Sequence, residues 1–312
     1  MMMARLRTGN YGSLFSEGIE PEPASPPATR RLRRRAALRE TPWIRTQRLM
    51  RVAARLARPG SLADLAATLA RLARARFARS ANLPDPRDAL ACADGLAGLA
   101  GDLTPAAMIE AYGKGLAPCA SLGPVAWHSR ATRFVAPPAE IARDDRLAVK
   151  DAATDWTVSF DRDIDLVLAR SGRPSNPSAI IPARLLDAFA DLFDAGFAHC
   201  FAVRDGRGET IGGGFGVAVG GVFMIEGAFD VAPGAARFGL AQLSRRLDAR
   251  RYALVECAPG AAWLDCGLFR PMPREDYLTL LSRHMAEEKI GRWRDGAAGR
   301  PSAGPECGRL AA

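Results

Sequence analysis

The chain has no run approaching the roughly 18 consecutive apolar residues that a membrane-spanning helix requires. Its first 30 residues hold no hydrophobic signal core followed by a cleavage site, so a soluble, cytoplasmic protein is expected. The acids Glu17, Glu20 and Glu22 count against an organellar transit peptide. Its six cysteines, Cys92, Cys119, Cys200, Cys257, Cys266 and Cys307, form no CxxC pair, and the three histidines, His128, His199 and His284, are scattered. No metal motif is visible, no metal is expected, and free thiols in a reducing compartment are the natural state. A GxSxG elbow is also missing, which removes the usual signal for a Ser-His-Asp hydrolase and leaves a Cys-His nucleophilic pair unsupported by any spacing.

What is present is unevenly distributed. The 312 residues permit one large or two modest domains. Of the 43 basic residues, 18 lie in positions 1–90, all of them Arg, against seven acids, a net of +11; the remainder carries 25 bases and 27 acids, or −2. That first third opens with Pro and Ser between Glu20 and Thr29, continues as Arg30-Arg31-Leu32-Arg33-Arg34-Arg35, and has no compact apolar pattern before Pro42. A flexible basic arm is expected there. From Ser61 to Arg79, Leu62, Leu65, Leu69 and Leu72 recur at helical spacing behind Ser61 as N-cap, with Arg71, Arg74, Arg76 and Arg79 toward the end. Such a basic amphipathic helix packs its leucines on the body, follows an RNA backbone or lies on an anionic membrane, and charge does not separate the last two.

The densest signal is the glycine-rich stretch from Gly212 to Asp230. Ile211 to Val219 and Val222 to Glu226 read as two strands joined by Gly220-Gly221, a connection that permits a tight hairpin. Glycines at 212, 213, 214 and 216 weaken the first strand unless something approaches its backbone closely, and a substrate chain is one candidate. Glu226 follows Val222-Phe223-Met224-Ile225, so it is either a satisfied structural acid or a site carboxylate.

Around the hairpin, Thr104-Pro105 opens a helix over Ala106 to Tyr112, closed by Gly113 and Gly115. Trp156 to Phe160 is a strand candidate, and Leu185, Leu186, Phe189, Leu192 and Phe193 form one face of a helix. A strand at His199 to Val203, a helix from Ala235 to Leu247, a buried strand Ala253 to Cys257 and a helix from Arg274 to His284 complete the pattern. The expected class is α+β. Helix, strand, strand, strand, helix, strand, helix is the order of a GNAT-type acyltransferase domain, although order alone is a weak signal. Val231 to Arg237 lacks the Q/R-x-x-G-x-G/A loop that would cradle a pyrophosphate at the following helix, so CoA is disfavoured and no cofactor is expected.

From about Asp94 to Leu281 the chain resembles the leucyl/phenylalanyl-tRNA-protein transferases. Asp94-Gly95-Leu96 through Gly101-Asp102-Leu103-Thr104-Pro105 and Ala111-Tyr112-Gly113-Lys114-Gly115-Leu116-Ala117-Pro118 match that family's G-G-D-L-S/T-P and Y-x-x-G-I-F-P opening. Trp127-His128-Ser129 with Arg133 resembles its W-W-S-P-x-x-R segment, and Gly196-Phe197-Ala198-His199-Cys200 its G-x-A-H-S strand entry. Gly213 to Ala218, Phe223 and Glu226 to Phe229 follow its G-G-x-Y-G-V, F-x-G-E-S-M-F hairpin, and Pro273-Arg274-x-Asp276-Tyr277-Leu278 also fits.

The resemblance implies a GNAT-like domain with a mixed sheet flanked by helices, behind a smaller α/β domain and the basic extension. The expected division is 1–90 for the Arg-rich extension, 91–175 for the smaller domain, 176–290 for the transferase domain and 291–312 for a flexible tail. The implied activity moves Leu or Phe from aminoacyl-tRNA to the N-terminal amine of an acceptor protein, by a monomer and without metal. Glu226 and Glu256 are the implied catalytic acids; Trp127, Phe223, Glu226, Phe229 and Leu240 would contact the aminoacyl group, and Arg71, Arg74 and Arg237 the nucleic acid. An active enzyme would bring Glu226 and Glu256 into one cleft open to Phe223 and Trp127. The alternative is a catalytically silent relative that binds tRNA or a protein partner through the basic extension. Several positions depart from the family pattern: its I-D-C-Q strand is Val255-Glu256-Cys257-Ala258, and its downstream Asn and His fall near Ala261 and Trp263. Likewise its second Trp is His128, its Pro is Arg130, and its hairpin Ser is Gly227.

Overall fold

Strand alternation divides the apolar side chains of this chain between two cores, one on each face of a seven-stranded sheet. The computed structural model describes residues 82–91, 95–120, 125–144, 155–172, 181–258 and 267–285, together with Gly291, Trp293 and eight single positions in the first 70 residues. The helices are α1 (Pro105–Gly113), α2 (Pro138–Ala142), α3 (Ile164–Ser171), α4 (Ala183–Asp194), α5 (Ala235–Ala249) and α6 (Arg274–His284). The first strands are β1 (Leu96–Leu99), β2 (Ala117–Cys119), β3 (Ala126–His128), β4 (Thr132–Ala136) and β5 (Thr157–Phe160). They are followed by β6 (Ala198–Arg204), β7 (Thr210–Val219), β8 (Val222–Asp230), β9 (Leu254–Cys257) and β10 (Arg270–Pro273).

A three-stranded sheet has the order β1-β3-β2, and the main sheet the order β10-β4-β9-β8-β7-β6-β5. In the main sheet β8 and β9 are parallel, joined by α5 as a βαβ crossover, and the other neighbours are antiparallel. This is the mixed, helix-flanked α+β arrangement that the family resemblance implies. Both β4 and β5 precede residue 176 yet hydrogen-bond into the large sheet, so the sheet does not respect a chain division at 175. Of the two, β5 is an edge strand and β4 lies inside the sheet between β10 and β9, so both are placed by strand pairing and not by sequence proximity.

One core packs α1, α3, α4 and α6 against Cys200, Phe215, Val217, Val222, Met224 and Phe229. The other packs α2 and α5 against Phe201, Val203, Phe223, Ile225, Ala228 and Val255. Within β8, Val222 and Met224 face the first core while Phe223 and Ile225 face the second, as a period of two requires.

The glycines of β7 are occupied by the protein itself. A Cβ at Gly216 would lie 2.7 Å from the Phe223 ring, at Gly214 2.9 Å from the Phe201 ring and at Gly212 2.5 Å from Ala235. At Gly213 it would stand 3.1 Å from the Phe229 ring. The close approach expected of a substrate chain is therefore made by internal rings and by the start of α5. The turn is as expected, with Gly220 at φ 59 between β7 and β8.

Both chain ends contribute to the body. Arg34, in the run expected to be a free arm, is 8% exposed and donates from Nε to Asp165 at 2.5 Å and from Nη1 to Asp194 at 2.9 Å, while Leu38 joins the first core. A guanidinium between two carboxylates from α3 and α4 overrides the local lack of an apolar pattern. Trp293, in the segment expected to be a flexible tail, is 1% exposed and stacks on His199 with ring centroids 3.8 Å apart. Its main-chain N–H donates to Asp161, whose other oxygen accepts from the Cys200 N–H. Trp293→Ala is expected to cost about 3–5 kcal/mol of folding stability, the usual range for a buried aromatic, measured by urea denaturation.

Candidate functional site

The hairpin that carries Glu226 is interrupted at Glu226 itself. Phe215 pairs with Gly227 and Gly216 with Ile225, which leaves Glu226 as the extra residue of a β-bulge. The alternation inverts across it: Val222 and Met224 face the first core before the bulge, Phe229 after it. A Cβ on Gly227 would lie 2.6 Å from the Phe215 ring, so only glycine fits where the family pattern has Ser. Among the described residues, β8 pairs with β9 as far as Ile225 and Cys257, and β8 itself extends to Asp230. The bulge thus lies just past the last described pair of the two parallel strands.

Glu226 is half-buried and accepts a hydrogen bond from the Tyr112 hydroxyl at 2.7 Å. Tyr112 is the second-last residue of α1, whose start is capped by Thr104 with Pro105 behind it and whose end is followed by Gly115 at φ 81. Beside this pair lies a buried ionic cluster. Arg133, 3% exposed on β4, donates from Nη1 to Glu256 Oε1 at 2.5 Å and from Nη2 to the Gly115 carbonyl and, at 3.3 Å, to the Ser129 hydroxyl. The Tyr277 hydroxyl of α6 donates to Glu256 Oε2 at 2.6 Å, and the Arg133 guanidinium lies 4.6 Å from the Tyr277 ring centroid. Both oxygens of Glu256 are therefore engaged. The carboxylate is a fixed anchor of the site, not an open ligand.

Electrostatics separate the two acids. Burial pushes the Glu226 carboxyl up to about 7; the Tyr112 hydrogen bond and the charges of Arg130 and Arg133 pull it down, and Glu256 pushes it further up. Burial, then Glu226, raises the Tyr112 phenol well above its ordinary value, and burial, then Glu256, does the same for Tyr277. Both phenols stay protonated and donate. Burial by itself would lower the Arg133 guanidinium, but Glu256 and Tyr277 outweigh it and raise it.

The other expected site residues divide between the faces. Trp127, 2% exposed on β3, and Phe229 belong to the core on the Glu226 side. Phe223 and Leu240 do not: strand alternation turns Phe223 to the α5 side, where it packs near Trp293, and Leu240 is buried within α5. A cleft open to Glu226 and Phe223 together is excluded, because odd and even positions of β8 before the bulge point to opposite faces. Arg237 lies half-buried in the first turn of α5, where its charge acts on Asp230. Arg71 and Arg74 are outside the described residues. His199 is buried beneath Trp293 with Nδ1 2.9 Å from Asp161, and His128 is buried on β3. Among the described residues no cluster of three or more His, Cys, Asp or Glu is arranged to hold a metal ion, and no helix is long and apolar enough to cross a membrane.

Residues 135–282 match the family model described as leucyl/phenylalanyl-tRNA protein transferase. A protein of that name from Syntrophus aciditrophicus is 32% identical over 213 residues, 67% of this chain and 89% of its own length. The chain belongs to this family. The Thiobacillus denitrificans member is 32% identical over 210 residues, 66% of this chain and 91% of its own length, and an Anaeromyxobacter member 32% identical over 234 residues, 73% and 98%. Sequence reasoning about the family pattern included Tyr112, Arg133 and Tyr277 but gave none of them a role; their shared signal is a polar tip at a position whose neighbours are core residues.

Two measurements bear on this geometry. Glu256→Ala leaves the Arg133 charge buried without its carboxylate and is expected to cost about 3–5 kcal/mol in denaturant unfolding. Glu226 has its folded-state value raised above that of the unfolded chain, so its contribution is fully present at acidic pH and is lost as pH rises toward and through about 7. Relative to Glu226→Gln, the wild-type protein should therefore lose stability between the ordinary carboxylate range and about pH 7, then level off, in melting curves recorded across pH.

Proposed function

We propose that the protein is an aminoacyltransferase that moves leucine or phenylalanine from aminoacyl-tRNA to the N-terminal amine of an acceptor protein. The observation that carries the proposal is Glu226: a half-buried carboxyl at a β-bulge, hydrogen-bonded to Tyr112, on a chain that belongs to the leucyl/phenylalanyl-tRNA-protein transferase family. The chemistry is ester aminolysis. A neutral amine attacks the acyl carbon, the C–N bond forms, and a tetrahedral intermediate carries an oxyanion and a protonated nitrogen. Ionised Glu226 takes one proton from that nitrogen, then returns it to the ribose oxygen as the ester C–O bond breaks. A carboxyl that titrates at about 7 is suited to both transfers near neutral pH. Tyr112 orients it, and Glu256 acts through Arg133 and Tyr277 by holding β4, β9 and α6 around it.

Trp127 and Phe229 supply apolar surface on the Glu226 side for the Leu or Phe side chain. Arg71, Arg74 and Arg237 meet the RNA backbone, and the protein works as a cytoplasmic monomer without metal or CoA. In the assay, tRNA charged with labelled leucine or phenylalanine is incubated with a peptide bearing N-terminal Arg or Lys. Label passes to the peptide, its rate rises as pH climbs through about 7, and Glu226→Gln lowers kcat/KM by about a hundredfold or more and removes that pH limb. No transfer by a folded wild-type protein would favour the silent, RNA-binding alternative.

A further inference from the structure

Trp293 lies on the reverse side of the bulge that presents Glu226. His199 of β6, Gly216 of β7 and Ile225 of β8 form one rung of the main sheet, the last before the extra residue of the bulge. Phe201, Ala218 and Ile225 belong to the α5-side core, so the period of two turns this rung toward α5. Gly216 has no side chain there, and the Phe223 ring leans across it, 2.7 Å from where a Cβ would stand. The indole of Trp293 lies flat on the His199 ring, with centroids 3.8 Å apart and planes 4° apart, and tilts against the Phe223 ring at 5.6 Å. It thereby bridges β6 and β8 over the gap left by Gly216.

The indole is fixed by more than burial. The Trp293 N–H donates to Asp161 Oδ2 at 2.5 Å, and its carbonyl accepts from Arg246 Nη2 at 2.7 Å. Asp161, whose side chain is fully buried, also holds His199 Nδ1 at 2.9 Å. His199 Nε2 has no hydrogen-bond partner among the described residues, so Asp161 and the stacked indole set the angle of that ring. A bulge interrupts the ladder locally, and a slip of one residue in β8 would turn Glu226 away from Tyr112 to the α5 face. The Phe223 ring over Gly216 opposes such a slip, and Trp293 stands behind that ring.

We propose that Trp293 is a positioning residue for Glu226, propping the bulge from the reverse face of the sheet so that the carboxyl keeps its place against Tyr112. The consequence for catalysis rests on the aminoacyl-transfer reading; the placement rests on the geometry. The groups that face Glu226 are Tyr112 from α1, Arg130 and Arg133 from the β4 region and Glu256 from β9. A substitution at Trp293 removes none of them, so a change in how Glu226 titrates reports the bulge.

The test uses Trp293→Leu, which keeps apolar bulk without a flat ring, and Trp293→Phe, which keeps a ring, both in the full chain. Glu226 is titrated by carbon-13 NMR of labelled glutamate, with Glu226→Gln assigning the signal. The wild-type midpoint is expected at about 7. In Trp293→Leu it should fall toward the ordinary carboxylate range, because a loosened bulge admits water to the carboxyl, and Trp293→Phe should restore it. In labelled-aminoacyl transfer, kcat of Trp293→Leu should drop about tenfold to a hundredfold, the scale of a small misplacement, with KM for aminoacyl-tRNA within about twofold. The rise of its rate with pH should move to lower pH with the carboxyl. Arg246→Gln, which frees the Trp293 carbonyl and leaves the indole, should shift the midpoint less and in the same direction, and it decides the matter if Trp293→Leu does not fold. A folded variant in which Glu226 titrates as in the wild type overturns the proposal. A moved midpoint with no transfer even by the wild type upholds the prop and removes the transferase; wild-type transfer with an unmoved midpoint in folded Trp293→Leu does the reverse.

Discussion

A single buried guanidinium ties the site together. Arg133 reaches Glu256 on β9, the Gly115 carbonyl after α1 and the Ser129 hydroxyl before β4, and it lies against the Tyr277 ring of α6. A charge that deep is costly unless it is paired and hydrogen-bonded; its Nε has no hydrogen-bond partner among the described residues, and the contacts of Nη1, Nη2 and the guanidinium face require four separated segments to be in register at once. Arg133 therefore acts less as a source of net stability than as a constraint on which arrangement of those segments is allowed. The small three-stranded sheet, through the turns on either side of it, is held against the main sheet by this cluster.

With that frame in place, the bulge at Glu226 acquires its meaning. Without the extra residue, Phe229 would face α5 and the strand would end on the wrong side of the sheet. Instead Glu226 is turned toward Tyr112, and the absence of a side chain at Gly227 leaves the Phe215 ring in contact beneath. Two acids of the same site are thus separated by environment. Glu256 is saturated by an arginine and a tyrosine, while Glu226 has one phenol and partial exposure.

Much of this was legible in the chain. Thr104-Pro105 at a helix start, the Gly220-Gly221 turn and the helix from Arg274 to His284 are local signals, and the structure contains each where it was expected. Glu226 was also visible, as a polar residue behind an apolar strand. Other expectations failed for reasons that are not local. The glycines of β7 suggested an approaching substrate, but the rings of Phe201, Phe223 and Phe229 come from other strands or from across the hairpin. Phe223 looked like a pocket residue until alternation placed it on the far face. Arg34 and Trp293 sit in polar, tail-like sequence and are held by partners remote in the chain, Asp165 and Asp194 for one and Asp161, His199 and Arg246 for the other.

The sequence by itself determined several of the elements, the tight hairpin and the family, and it singled out Glu226 as an acid in need of a reason, because propensity, periodicity and motif spacing are properties of neighbouring residues. Which face each candidate occupies and which acid is paired with an arginine were decided by the tertiary structure. The physical reason is that burial and charge pairing depend on distances between segments remote in the chain. A bulge of one residue is enough to exchange the two faces of a strand.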